Sequence, residues 1–245
     1  LYCKGHLEID KSGTLNVTGN TAHAISAKEY IKLKKSDGTI NIQGAVKDGI
    51  HCKQYFLANG FKINISGASG DGIDTEADGE ENEDGFADGS ININNGDFSI
   101  TSTADTVKGV KAESNIDIIG GTLSITMSGK GSKGIKSGAE INIGNKDDKT
   151  GPTLAVKTSG AKCSSSSSSS SNNNNWGWGG GRPGGMGSNE SSGTSSKAIK
   201  ALGAINIYGG NLNISTSTDG AEGIESKTQV NIYGGNNYLK CYDDC

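Results

Sequence analysis

KGVKAESNIDIIGGTLSI, residues 108–125, returns along the same chain as KGIKSGAEINI (133–143), KAIKALGAINIYGGNLNI (197–214) and EGIESKTQVNIYGG (222–235). The apolar letters stay and the charges around them change. Aligned on the apolar residue that follows a small one, the chain gives the column Leu1, Ile25, Ile50, Ile73, Val110, Ile135, Ile199, Ile224. The spacings are 24, 25, 23, 37, 25, 64 and 25, a period near 25 residues interrupted twice. A second apolar pair follows six residues on: Leu7/Ile9, Ile31/Leu33, Ile116/Ile118, Ile141/Ile143, Ile205/Ile207 and Val230/Ile232. A third follows a glycine-rich corner: Leu15/Val17, Ile40/Ile42, Ile63/Ile65, Phe98/Ile100, Leu123/Ile125, Leu154/Val156 and Leu212/Ile214.

Each pair has the I-x-I alternation of a strand with one buried face. GG, NG or DG marks the corner, where a positive φ costs glycine little. Three short strands per unit of this length predict an all-β fold, a right-handed parallel β-helix of about eight turns. Stacked at ~4.8 Å, the turns would make a rod on the order of 40 Å long. Two residues after each anchor stands a small side chain: Cys3, Ala27, Cys52, Thr75, Ala112, Ser137, Ala201, Ser226. These fit the narrow interior of a tight corner, whereas the residues one after and two before the anchor point to solvent and are free to vary.

Composition agrees with a repeat and excludes other classes. The 245 residues hold 39 glycines and 5% aromatics, with a mean hydropathy of -0.48. Such a low value would point to disorder, but a repeat unit borrows much of its core from its neighbours. The net charge is -4, and residues 77–90 alone carry six carboxylates, so this is not the footprint of a nucleic-acid binder. No apolar run approaches a membrane span, so no membrane insertion is expected. Leu1 already falls in register and Cys245 stops inside a unit, so residues 1–245 read as one repeat domain truncated at its C-terminus.

Two insertions interrupt the period. Residues 77–90 form an acidic loop, and residues 157–195 hold a Ser/Asn/Gly low-complexity stretch that is not expected to order itself. Within it Trp176 and Trp178 are the chain's only tryptophans. They read either as a sugar-stacking platform or as an anchor folding back on the rod.

The solvent-facing columns carry the candidate chemistry. Two before the anchor stand His23, Asp48, Asp71, Lys108, Lys133, Lys197, Glu222 and Asp244; one after stand Ser26, His51, Asp74, Lys111, Lys136, Lys200 and Glu225. The pairs Lys108/Lys111, Lys133/Lys136 and Lys197/Lys200 would stack like charges ~4.8 Å apart, which repel unless something anionic screens them. They read as a basic stripe for an acidic polysaccharide, with His51 at its margin, or as edge lysines that prevent sheet association. Asp48, Asp71, Asp74, Glu76 and Asp84 belong to a dense carboxylate cluster that suits calcium, a cation taking six to eight oxygens; a solvated acidic loop is the alternative. Of the five cysteines, Cys3 and Cys52 lie two turns apart and Cys163 sits in the insertion. Cys241 and Cys245, four apart in an extended segment, are expected not to pair.

The units DGIHC (48–52), GDGIDTE (70–76) and AEGIESK (221–227), the INIYGG corners and YDDC (242–245) resemble the bacterial carbohydrate-binding β-helix proteins known from a cellulose-binding clostridial member. The resemblance covers nearly all turns. It implies a secreted or cell-surface protein with bound calcium and affinity for plant polysaccharides, cellulose, pectin-like and other acidic glycans included, without cleavage. It carries Asp48, Asp71, Asp74, Glu222, Asp243 and Asp244 over as metal ligands. Two rival functions stand beside it. One is a calcium-dependent polysaccharide lyase of the pectate type; the sole arginine, Arg182, lies in the low-complexity insertion, so its base would be Lys108 or Lys111. The other is an adhesin or structural stalk.

Overall fold

A computed structural model of the chain describes residues 1–35, 37–80, 82–163 and 193–245. Among these the protein is all β, with 22 strands and no helix. None of its elements is a helix long and apolar enough to cross a membrane.

The anchors and their neighbours form one sheet of eight strands, in the order Tyr2–Cys3, Ile25–Ala27, Ile50–Cys52, Ile73–Thr75, Lys108–Ala112, Lys133–Ser137, Lys197–Ala201, Glu222–Ser226. Each pairs in parallel with the equivalent strand of the next repeat unit, so Ile25 meets Ile50, Ile50 meets Ile73, Ile73 meets Val110 and Ile135 meets Ile199. Sequence register is therefore spatial register, and each repeat unit is one layer of a stack. The second and third pairs make a parallel sheet of 14 strands. That sheet is continuous because the strands Tyr55–Ser66 and Ser90–Ser102 run through the corner and serve both columns. They supply the two second-column pairs that the periodicity left blank, Phe56/Ala58 and Ile91/Ile93.

The inward columns close into a single core. Ile73, Val110, Ile135 and Ile199 are fully buried, as are Ile116, Ile141 and Ile205 of the second column and Phe98, Leu123 and Leu154 of the third. The residue before the anchor is small because the next layer's backbone lies against it. A Cβ on Gly134 would come within 2.6 Å of the Ala198 carbonyl oxygen, and one on Gly109 within 2.8 Å of that of Gly134. At the GG corners the second glycine takes the left-handed backbone, with φ 86° at Gly121 and 103° at Gly210.

The insertions sit outside this frame. Leu123 pairs with Leu154, 31 residues on, so the corner 144–152 already holds part of the excess placed after Val156. The acidic loop folds back on the stack, where Phe86 packs on Tyr55 and Asp84 accepts hydrogen bonds from the Tyr55 hydroxyl and from Lys32 (2.8 Å). Tyr55 continues a ladder of stacked rings through Tyr30 to His6, with centroids 4.7 Å apart at each step.

One cysteine expectation is overturned. Cys241 and Cys245 form a disulfide, with Cα atoms 5.4 Å apart. The segment is not extended there: it turns so that the carbonyls of Asp244 and Cys245 accept the N–H groups of Gly223 and Ile224. That turn brings the thiols together. Cys3, Cys52 and Cys163 are free.

Candidate functional site

The eight-stranded sheet turns its charged columns outward in the predicted register. Lys108 pairs with Lys133 and Lys133 with Lys197, while His51, Asp74, Lys111, Lys136, Lys200 and Glu225 follow one another in the parallel column. Three electrostatic zones result.

The first is an acid–histidine zone. His23 and His51 stack with centroids 4.3 Å apart. Asp48 lies 3.0 Å from His23 Nδ1 and 3.7 Å from His51 Nδ1, and Asp74 lies 3.1 Å from His51 Nδ1. The carboxylates also tie layers together: Asp71 N–H donates to Asp48 Oδ1 (2.6 Å), and Lys108 N–H donates to Asp71 Oδ1 (2.7 Å). Lys111 Nζ bridges Asp74 Oδ1 at 2.7 Å and Asp71 Oδ2 at 3.8 Å. Burial pushes the Asp71 carboxyl up despite Lys108. Burial acts on Asp74 too, but hydrogen bonds from His51 and Lys111 outweigh it and hold this carboxyl below its ordinary value. His51 is raised by its bond to Asp74, whereas burial and the His51 charge lower His23.

At the other end of the column lies a lysine–glutamate zone. Lys197 pairs with Glu222 and with Glu225 Oε2 (3.0 Å), and it donates to Ser195 Oγ (2.8 Å). Lys200 lies 3.2 Å from Glu225 Oε1, and Lys227 adds a third cation there. Burial acts to raise the Glu225 carboxyl, but the bonds from Lys227 and Lys197 win and bring it to about 2.

Between them is the layer of Lys133 and Lys136. Neither has a carboxylate within ion-pair distance among the described residues. Lys133 is only 6% exposed, and its ammonium donates to the Gly131 carbonyl at 3.2 Å. Burial, reinforced by Lys108, Lys200, Lys136 and Lys197, pushes it down to about 8. Burial together with Lys108 and Lys111 lowers Lys136. An open groove of about 420 Å³ lies over this layer, lined by Thr106, Lys108, Lys133, Lys136, Thr194, Lys200 and Leu202. It can seat an anion against four ammonium groups.

Among the metal candidates, the structure brings together Asp48, Asp71 and Asp74, whose oxygens lie within 4.8 Å of one another. Their chemistry suits calcium, but N–H and ammonium groups already meet these oxygens, so an ion would take the place of Lys111 at Asp74. Glu76 stands apart at 4.0 Å from Lys53, and Asp84 is held by Lys32 and Tyr55. Glu222 serves Lys197, and Asp243 and Asp244 lie in the disulfide turn. His23, not singled out by the sequence, joins the first zone; its place in the Asp48 column was the available signal. Trp176 and Trp178 lie outside the described residues. The lyase reading needs a neutral amine, and its bond to Asp74, winning over burial, holds Lys111 above its ordinary value and protonated.

A stack of parallel strands that presents a polar groove over one sheet defines a class of binding scaffold more than a chemistry. The family model of carbohydrate-binding domain-containing proteins matches residues 1–245, and the chain belongs to that family. No curated protein and no solved structure matches it.

Proposed function

We propose that the protein is a non-catalytic module that binds an acidic polysaccharide of the pectin type in the lysine groove. The observation that carries this reading is Lys133. Among the described residues it is a buried ammonium with no carboxylate within ion-pair distance, and unpaired buried charge is costly. A sugar carboxylate seated among Lys108, Lys133, Lys136 and Lys200 would neutralise it, and the family supports a glycan as the partner.

The frame for this groove is, in this reading, a right-handed β-helix of eight turns. Its support is that the paired strands are parallel and join equivalent positions one unit apart. For calcium we propose the Asp48–Asp71–Asp74 triple, on the strength of its clustered hard oxygens. Millimolar calcium should then raise the melting midpoint relative to EDTA by a few degrees, and an unchanged midpoint removes calcium from the account. A secreted or cell-surface location fits the Cys241–Cys245 disulfide, since such bonds persist in oxidising compartments.

Calorimetric titration with polygalacturonate tests the reading. The native chain should bind without forming unsaturated product, and Lys133→Ala/Lys136→Ala should weaken binding by about tenfold or more. Equal affinity in a variant that melts normally would sink the groove as the site. Growth of the ultraviolet absorbance of an unsaturated uronate would replace binding by elimination.

A further inference from the structure

We propose that the groove is a compartment for one acidic sugar unit, flanked by uncharged stretches, and not a track along which a polyanion lies. This rests on the reading that the groove binds a uronate. The sequence shows six lysines over three layers and suggests a continuous stripe. In the structure the outer two layers are already matched. Asp71 lies 3.8 Å from both Lys108 Nζ and Lys111 Nζ, and Asp74 lies 2.7 Å from Lys111 Nζ. On the other side Glu222 and Glu225 cover Lys197, and Glu225 reaches Lys200 at 3.2 Å.

These pairs act as fences. A ligand carboxylate moving past Lys108 meets Asp71 and Asp74, and one moving past Lys200 meets Glu222 and Glu225. Like charges at the ~4.8 Å layer spacing repel strongly near a partly buried surface. Of the six stacked lysines, only Lys133 and Lys136 have no carboxylate within ion-pair distance among the described residues. A second carboxylate one layer up or down would compete with an internal ion pair for each lysine it approached. The chemistry selected is therefore a glycan whose acidic units are isolated, either by esterified or by neutral sugars.

The test is calorimetric titration of the native chain with galacturonate oligomers from monomer to decamer, with affinity expressed per sugar unit. A fenced compartment gives an affinity that levels off by the trimer and changes less than about threefold beyond it, because added units find no free cation. A rise of about tenfold or more from trimer to decamer overturns the proposal and establishes a track. Failure of every oligomer to bind is a different result, since it removes the uronate reading on which the compartment rests. Glu222→Gln/Glu225→Gln supplies the second arm: it removes both carboxylates and frees Lys197 and Lys200, so the plateau should move to longer oligomers. A plateau unmoved in a variant that melts normally assigns no fencing role to these glutamates and overturns that side of the proposal.

Discussion

The layer of Asp74 and the layer of Lys133 share a sheet, its two outward columns and the same isoleucine core, yet their electrostatics are opposite. Around Asp74, every charge meets an opposite one on a neighbouring layer: Lys111 at 2.7 Å, His51 at 3.1 Å. Around Lys133, the neighbours above and below are lysines, and no carboxylate reaches it among the described residues. A stack in parallel register makes each side chain face its own column, so a column that repeats a charge must neutralise it from outside. The acid–histidine zone ties its layers together; the lysine layer has no such ties among the described residues.

The core beneath should be indifferent to that contrast. Ile73 and Ile135 are both fully buried, one under each zone. Each, replaced by alanine, should cost about 2–5 kcal/mol in denaturant melts, and the two losses should agree within about 1 kcal/mol. A clear inequality would mean that the outer charges set the core's packing.

Next in size, the outward residues should respond with opposite signs. Asp74→Ala leaves Lys111 and His51 without their partner and should destabilise the fold by about 3 kcal/mol. Lys133→Met removes an unpaired buried charge while keeping the stem, and should stabilise by about 1 kcal/mol at pH 7. Destabilisation by Lys133→Met would show that the lysine is compensated within the fold.

Smaller and slower in onset is the pH dependence. Lys133 sits at about 8 in the folded chain, below the ordinary 10.5, so the unfolded chain binds the extra proton between these values. Its contribution to stability should therefore grow as pH rises from about 8 toward 10.5, and Lys133→Met should abolish that rise. In the same range uronate binding should weaken as the ammonium loses its proton. Glu225 has the reverse sign. Held at about 2 against an ordinary 4.5, it gives stability that is present above 4.5 and is lost as pH falls through 4.5 toward 2. Glu225→Gln should flatten that acid limb, readable by melts in a pH series.

The repeat columns were legible because the interior is narrow. Apolar side chains recur at its inward positions, so Ile50, Ile73, Val110 and Ile135 stand where the register requires them, and pairing repeats the alignment. The reading failed where that signal was blurred. Phe56/Ala58 went unseen because the outward neighbour Leu57 is apolar and also buried, leaving no alternation to read. Ile91/Ile93 went unseen because their strand continues through the corner to Ser102. The Cys241–Cys245 bond was missed because the turn that makes it is set by contacts with Gly223 and Ile224, not by local spacing.

What the sequence determined by itself was the stack and its register: a one-dimensional repeat turns spacing directly into adjacency, and the interior admits few letters. It also determined the columns in which Lys108 through Glu225 stand, but not their exposure: Asp71, Asp74, Lys133 and Lys197, expected at solvent, are buried because side chains of the neighbouring layers cover them. Only the tertiary structure decided which of those charges are already matched. That outcome depends on the reach of long side chains between layers, on pairs such as Lys111 with Asp74 across an insertion, and on burial at single atoms. The sequence wrote six lysines in a row; among the described residues the fold left one layer of them, Lys133 and Lys136, without a carboxylate at ion-pair distance.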